Sequence, residues 1–464
     1  HAGRRAAAVR RRRVSRPHRR RRLDRGASPA QVVVVAFAAA IAVGTLLLML
    51  PVAQRGPGGS GFVDALFVAT SAVCVTGLTT VDTAQHWSGT GQVVVLALVQ
   101  VGGFGIMTLA TLLGLLVSRR LGLQTRLNTA AEGKSLGLAD VRKVLLGVAR
   151  TSLLMEAGGA VVLAGRFATS YDEPVGRALW LGVFHSVSAF NNAGFALFSD
   201  SLVRFATDPW VTLPISLLVV AGSLGFPVLF ELRRAWRTPR RWSLHSKIVV
   251  TMTAVLVPLG AVLHLALEWS NPRTFGPLGV PGKLLAGFFH GVQPRSGGFN
   301  VVEVGALNEE TLLGTDVLMF IGGGSGGTAG GIKVTTFAVL LFVIITEVRG
   351  DQSVTAFGRQ IPREVQRQAL SVALLAVAGV VGATSLLLVM TPFSLDEVLF
   401  EVISAFATAG LSTGITPELG VPGQLVLVVL MFLGRLGPIT FASALALRSR
   451  PRRYELPQER PIIG

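Results

Sequence analysis

Thr70-Ser71-Ala72-Val73-Cys74-Val75-Thr76-Gly77-Leu78-Thr79 is a glycine-centred passage set in apolar sequence, and it has three counterparts further along the chain. They read Phe190-Asn191-Asn192-Ala193-Gly194-Phe195, Arg295-Ser296-Gly297-Gly298-Phe299 and Ala407-Thr408-Ala409-Gly410-Leu411-Ser412. The glycines Gly77, Gly194, Gly298 and Gly410 lie 117, 104 and 112 positions apart. Ten residues upstream stand Phe67, Phe184, Phe288 and Phe400, and six upstream Ser71, Ser188, Val292 and Ser404. One residue downstream the chain has Leu78, Phe195, Phe299 and Leu411. A period this long marks one structural unit used four times. Four copies around an axis make a pore.

Composition puts that pore in a bilayer. Half of the 464 residues are hydrophobic and only 15% are charged. Apolar runs over 32–50, 93–117 and 425–433 approach or exceed the roughly 20 residues that cross hydrocarbon. The 54 glycines exceed the usual share of about 7%, as in membrane helices that pack through small residues. Cys74 is alone, so an intrachain disulfide is excluded.

The net charge of +18 is distributed in alternating blocks rather than in one nucleic-acid-binding face. Arg119, Arg120, Arg126, Lys134, Arg142 and Lys143 form one block; Arg233, Arg234, Arg237, Arg240, Arg241 and Lys247 form a second; Arg349, Arg359, Arg363 and Arg367 form a third. The loops 80–91, 300–314 and 413–421 between them contain no Lys or Arg. By the positive-inside rule the basic blocks are cytoplasmic and the others external. The Arg-rich stretch 4–25 puts the N-terminus inside, where its expected contact is anionic lipid rather than nucleic acid. No cleavable signal peptide is expected, because the Arg run is too long and no cleavage site follows Leu50.

These features give an all-α membrane protein of four tandem helix, pore-helix, helix repeats around a pseudo-fourfold pore, with eight transmembrane helices and four re-entrant half-helices. Repeat 1 spans 30–118, repeat 2 143–233, repeat 3 248–347 and repeat 4 369–447. A basic cytoplasmic tail covers 1–29, cytoplasmic linkers cover 119–142, 234–247 and 348–368, and a cytoplasmic C-terminal tail covers 448–464. The half-helices are read at 62–74, 175–190, 283–292 and 395–407. The return helices are read at 93–117, 210–232, 318–346 and 424–447. Ser394 with Glu397 has the capping-box form, and Asp64 and Asp396 suit helix starts.

Irregular backbone at membrane depth must be sealed in protein or line a water-filled passage. Val75-Thr76-Gly77-Leu78-Thr79 is close to the Thr-Val-Gly-Tyr-Gly filter of potassium channels, whose carbonyls replace the ion's water. The expected ion-binding residues are therefore Val75, Thr76, Gly77, Leu78, Asn192, Ala193, Gly194, Ser296, Gly297, Gly298, Thr408, Ala409 and Gly410. They act through backbone carbonyls on potassium. The plain alternative, that the glycines only allow tight helix packing, leaves the shared upstream Phe without a reason.

With these segments in hand, the chain resembles the Trk/Ktr/HKT superfamily of potassium transporters over about 32–447. Eight crossings and the stretch 349–367, with Phe357-Gly358-Arg359, look more like its KtrB branch than its TrkH branch. The resemblance implies passive or sodium-coupled potassium uptake, a homodimer, and a cytosolic ring of KtrA-type nucleotide-binding subunits. It also implies a bacterial plasma membrane location and no covalent cofactor. Gly297, where Ala or Thr is expected, departs from the pattern in a way expected to loosen selectivity slightly. Gly77 favours potassium; plant relatives with Ser at that place pass sodium, so sodium or less selective cation transport is the alternative.

The tract Gly322-Gly323-Gly324-Ser325-Gly326-Gly327-Thr328-Ala329-Gly330-Gly331 cannot continue a helix, since each glycine costs about 1 kcal/mol relative to Ala. The resemblance makes 322–333 an intramembrane gate loop, with Ser325 and Thr328 wetting or sealing the passage and Lys333 anchoring its inner end. A structural kink is the alternative. Arg435 lies about 16 Å along a helix from Gln424, inside the hydrocarbon, where an Arg faces a pore or a partner. It is read as a fixed charge under the filter that holds the gate, against the alternative of a ligand for backbone carbonyls at a helix break. Gly102, Gly103 and Gly222 stand at comparable places. Arg150 is expected to pair with Glu156 or a neighbouring helix, Arg295 to brace the third filter through a carboxylate, and His185 and His290 to serve packing. A rhomboid-like serine protease at Ser325 lacks its later histidine, because all seven histidines precede it. A nucleotide-binding loop fails too, because a membrane span precedes the tract and Ile332 separates Gly331 from Lys333.

Overall fold

The computed structural model describes residues 29–56, 61–105 and 138–437, whose regular elements are almost all helices. The expected N-terminal tail over 1–28, the larger part of the first linker and everything after residue 437 lie outside the described residues.

Among the described residues a long apolar helix is repeatedly followed by a shorter one whose C-terminal end is buried, with further helices after it. First come α1 (Pro29–Leu48), α2 (Phe62–Cys74), the single turn α3 (Thr83–His86) and α4 (Gly89–Gly105). Next are α5 (Leu138–Ser170), α6 (Val175–Phe190), α7 (Pro209–Leu224) and α8 (Phe226–Ala235). The third set is α9 (Leu244–Glu268), α10 (Val280–Val292), α11 (Glu309–Ile321) and α12 (Val334–Arg349). The last is α13 (Arg363–Met390), α14 (Leu395–Ala407) and α15 (Gly420–Leu436). Among the described residues five helices are long and apolar enough to cross a membrane, and α7 with α8 makes a sixth if the bent pair is one span.

Polarity is inverted relative to a water-soluble bundle. Val35, Leu46, Val161, Leu217 and Val389 point outward, whereas Thr70, Ser71, Thr76, Asn191, Asn192, Glu268 and Glu401 are completely buried. Lipid accepts the apolar exterior, and the polar groups must find partners or water inside. The shorter helices join the sets together: α2 packs on α1 and on α15, α10 on α9 and on α7, and α14 on α13, α15 and α11.

The helix α14 starts with the expected capping box, in which Glu397 accepts from the Ser394 N–H at 3.0 Å. The return helices approach closely because they carry glycine at the contact. A methyl on Gly102, Gly222 or Gly434 would fall onto the carbonyl oxygen of Val73, Phe190 or Phe406 respectively. Each of those carbonyls lies four residues before a repeat glycine.

Several expectations need correction. The second return helix, read as continuous over 210–232, breaks at Gly225 (φ 89°) and turns by 101°. Gly225 adopts a backbone angle that side chains resist, and Pro227 in the first turn of α8 supplies no N–H to continue α7. The helix of repeat 3, by contrast, stops at Ile321 and restarts at Val334, the break expected of the glycine tract. The linker read at 348–368 is shorter and holds the one non-helical element among the described residues. This is a hairpin of β1 (Thr355–Ala356) and β2 (Arg359–Gln360) turning at Phe357 (φ 50°) and Gly358 (φ 73°), the angles of a tight two-residue turn. Finally, Phe67, Phe184 and Phe400 are fully buried but Phe288 is not; Phe289 takes its place.

Gly434→Ala is expected to lower the unfolding midpoint in detergent micelles by several degrees, because the methyl collides with backbone. Gly379→Ala, which meets nothing within 4 Å on α13, is expected to hold or raise it, by about 0.5–1 kcal/mol of helix propensity. Equal effects of the two would show that return-helix packing does not depend on the absent side chain.

Candidate functional site

All four repeat glycines come together, and their segments share one backbone conformation. Two residues before each glycine the chain turns left-handed, at Val75 (φ 56°), Asn192 (φ 59°), Ser296 (φ 76°) and Thr408 (φ 47°). The glycines themselves are also positive, at 99°, 68°, 78° and 85° for Gly77, Gly194, Gly298 and Gly410. Left-handed Val and Thr are outliers that store about 1–3 kcal/mol each.

The segments close into a ring. A methyl on Gly77 would fall onto Ala193 O, and one on Gly194 would lie 2.7 Å from Gly298 Cα and 3.2 Å from Gly297 O. One on Gly298 would lie 3.0 Å from Ala409 O, and one on Gly410 would fall onto Thr76 O. Each glycine therefore faces the carbonyl that precedes the next segment's glycine, in the order one, two, three, four and back to one. Above the ring a cavity of about 280 Å³ opens past Leu78, Phe195, Asn300 and Ser412, with Asp82 as its charged residue. Around the ring, the hydroxyls of Thr76 and Thr408 and the amide nitrogen of Asn192 are buried without a protein partner. Such atoms call for water or an ion.

Hydrogen bonds from α2, α6 and α14 hold the first, second and fourth segments. Ser71 Oγ accepts from the Gly77 N–H at 3.0 Å, and Ser188 Oγ donates to Phe195 O at 2.8 Å. His185 Nε2 accepts from the Leu197 N–H at 3.2 Å, and Glu401 Oε1 accepts from the Thr413 N–H at 3.0 Å. Glu401 also accepts from Thr416 at 2.9 Å and from Ser412. His185 and Glu401 stand at the same place in their repeats, nine residues before the glycine, and each receives the N–H three residues after it. That coincidence was readable from the repeat alignment and was missed for Glu401; for His185 it adds a brace to the expected packing role.

The glycine tract lies directly beneath. Thr328 Oγ1 donates to Asn192 Oδ1 at 2.8 Å, and the Gly330 N–H donates to Ser296 Oγ at 3.2 Å, which itself donates to Thr408 O at 2.5 Å. Gly324 N–H and Thr328 N–H donate to Ser223 O and Gly222 O at 2.8 and 3.1 Å, tying the tract to α7. Of the remaining tract residues, Gly322 (φ 68°), Gly326 (φ 82°) and Gly331 (φ 72°) make its turns. Gly323 O accepts from the Val334 N–H at 2.9 Å, and a methyl on Gly327 would lie 2.7 Å from Gly222 O. Ser325 Oγ pairs with Thr335 Oγ1 at 2.8 Å rather than facing the ring, and Lys333 Nζ donates to Ala329 O.

Arg435 is 3% exposed. It donates to Thr328 O of the tract and to Gly102 O at 3.1 Å. Both bonds end on backbone carbonyls, one of them in the tract. Arg295, 2% exposed, does not meet a carboxylate: it donates to Gly322 O at 3.4 Å and to Thr253 Oγ1 at 3.2 Å. Residues 293–299 contain no acid, and a carbonyl of the tract accepts instead. Glu156 is not paired with Arg150, which is exposed; it accepts from Gln100 at 3.1 Å and Asn191 at 3.0 Å.

The chain matches the family model TrkH, described as a cation transport protein, over residues 10–451. It is 38% identical to the Ktr system potassium uptake protein B of Bacillus subtilis (strain 168), over 90% of this chain and 93% of that one. It is also 38% identical to the protein of the same name from Vibrio alginolyticus, over 97% of both. It is 34% identical to the potassium/sodium uptake protein NtpJ of Enterococcus hirae, over 96% of this chain and 99% of that one. The crystal structure of the potassium transporter TrkH from Vibrio parahaemolyticus shares the fold, with a TM-score of 0.72 at 17% identity, covering 92% of this chain and 87% of that one.

Arg435→Gln is expected to loosen the tract by removing the bond to Thr328 O. Amide hydrogen exchange over 322–333 should accelerate about tenfold, as the loss of one charged hydrogen bond implies, while exchange in α9 stays unchanged. An unchanged rate in the tract would show that Arg435 does not hold it.

Proposed function

Because the chain belongs to the TrkH cation transport family, we propose that it moves potassium along the axis on which the four glycine segments meet. It is a membrane protein of potassium transport and not an enzyme. The reading rests on one observation above all, the closed ring in which each glycine faces the carbonyl before the next segment's glycine. A bare potassium ion on that axis would exchange its water for carbonyl oxygens whose spacing is fixed by backbone. In this reading Val75 to Leu78, Asn192 to Gly194, Ser296 to Gly298 and Thr408 to Gly410 form the filter.

The finer architecture follows from the same reading: four repeats, eight crossings and four half-crossings, with both termini on the cytoplasmic side of a bacterial plasma membrane. The hydrogen bonds of the tract to Asn192, Ser296 and Arg435 support a gate at 322–333 that blocks the path just below the ring. Relatives named as parts of a Ktr system support a partner subunit, and we assign it the form of a cytosolic nucleotide-binding ring acting on a homodimer. Sodium dependence of uptake belongs to the same proposal. A second reading, transport of sodium or of both ions, draws on the relative named for potassium and sodium uptake; the glycine at position 77 argues for potassium.

Growth of a potassium-uptake-deficient strain at low potassium, rescued by this chain, tests the proposal directly. Gly77→Ser places a side chain at φ 99°, a strain of about 1–3 kcal/mol, and against Ala193 O. The potassium-over-sodium flux ratio in vesicles should therefore fall about tenfold or more. A ratio unchanged in Gly77→Ser would remove the ring from ion discrimination.

A further inference from the structure

The third quadrant of the ring is built differently from the other three. Thr76, Ala193 and Ala409, each one residue before its glycine, donate their N–H to a carbonyl five residues earlier. The acceptors are Ser71, Ser188 and Ser404, at 2.8, 2.7 and 2.8 Å. Gly297, in the same place, donates to Gln293 O at 2.7 Å, only four residues earlier. The helix α10 therefore meets its segment one residue sooner. Everything upstream shifts with it. Phe289 fills the place of Phe67, Phe184 and Phe400; His290 stands in register with His185 and Glu401; Gln293, not Val292, stands in register with the serines.

Gln293 also bonds its own segment through its side chain, as Ser71 and Ser188 do. Its Oε1 accepts from the Phe299 N–H at 3.2 Å, so its longer side chain reaches the strand after the glycine. That oxygen then occupies the space of a side chain at position 297, because a methyl on Gly297 would fall onto it. The second and fourth segments hold Ala193 and Ala409 at this place. Gly297 has no left-handed backbone angle, unlike Gly298 beside it, so conformation does not demand glycine there. Room for Gln293 does. The departure expected to loosen selectivity is one half of a matched pair.

We infer that Gln293 is the positioning residue of the third filter segment, with Gly297 as its required companion, and that this pair sets potassium-over-sodium discrimination on that side of the ring. The inference rests on the reading of the four segments as an ion filter. Gln293 touches no ion; it fixes the strand whose carbonyls do.

The test uses the full chain in vesicles, with potassium and sodium fluxes measured per folded protein and the unfolding midpoint followed in micelles. Gln293→Leu keeps the bulk and removes the acceptor, so the flux ratio should fall about fivefold, the worth of one hydrogen bond, at a nearly constant midpoint. Gly297→Ala should lower both potassium flux and the ratio. Adding Gln293→Ala to Gly297→Ala clears the collision and should restore the potassium flux without restoring the ratio. A wild-type ratio in Gln293→Leu overturns the inference, as does a double variant no better than Gly297→Ala alone. If Gln293→Leu does not fold, the comparison of Gly297→Ala with the double variant decides. Wild-type vesicles without any potassium preference would overturn the filter reading itself. A selective wild type with an indifferent Gln293→Leu overturns only the role of Gln293.

Discussion

The ring tolerates no side chain, and the rest of the structure follows from that constraint. Four backbone segments come so near one axis that a methyl on Gly77, Gly194, Gly298 or Gly410 would fall on or press against a neighbouring segment's backbone. To bring them there, α2, α6, α10 and α14 must end at a common place, with polar residues buried behind them. Those polar groups lie in a shell whose outside is apolar, so water does not satisfy them from the lipid side. The protein supplies the partners instead. Buried Glu156 and Asn191 form one set with half-buried Gln100; buried Glu401 and Thr416 form another with half-buried Ser412 and Thr413.

Holding β-branched residues such as Val75 and Thr408 left-handed costs about 1–3 kcal/mol each. Individual hydrogen bonds, at about 1 kcal/mol net, offset that strain only when several act on one segment. With the backbone bonds to its helix counted, each segment has several, and no two have the same side-chain set: Ser71 in the first, Ser188 and His185 in the second, Gln293 in the third, Glu401 in the fourth. The backbone is nearly fourfold while its bracing is not. A single chain is free to tune each quadrant separately in a way four identical subunits are not.

What the sequence made legible is what depends on local chemistry. The bounds 62–74, 175–190 and 395–407 were read to the residue, because an apolar stretch too short to cross ends at a polar glycine-centred turn. The ring glycines were legible because only an absent side chain permits the approach. The break at Gly225 was not, because Gly222 and Gly225 lie within one turn of each other and only the arrival of the tract at Ser223 and Gly222 shows where α7 stops. The one-residue shift of α10 was hidden for a related reason. Phe288 and Phe289 are adjacent and chemically equal, so the alignment chose the one at constant spacing, while packing chose the other. The partner of Arg295 was misread because a carboxylate was sought where a backbone carbonyl, invisible to sequence pattern, does the work.

The tract beneath the ring is attached to the parts it would have to leave in order to move. Thr328 bonds Asn192, Gly330 bonds Ser296, and Arg295 reaches Gly322 from the third segment. A displacement of the tract therefore gives up contacts to two of the four segments, and Ser296 would also be left to hold Thr408 O alone. The sum, a few kcal/mol at about 1 kcal/mol per bond, keeps the tract in place. It is also unevenly placed, weighted toward the second and third segments. On the filter reading, opening below and geometry above are then coupled, because the same side chains that fasten the tract sit at the left-handed residues that set the carbonyls.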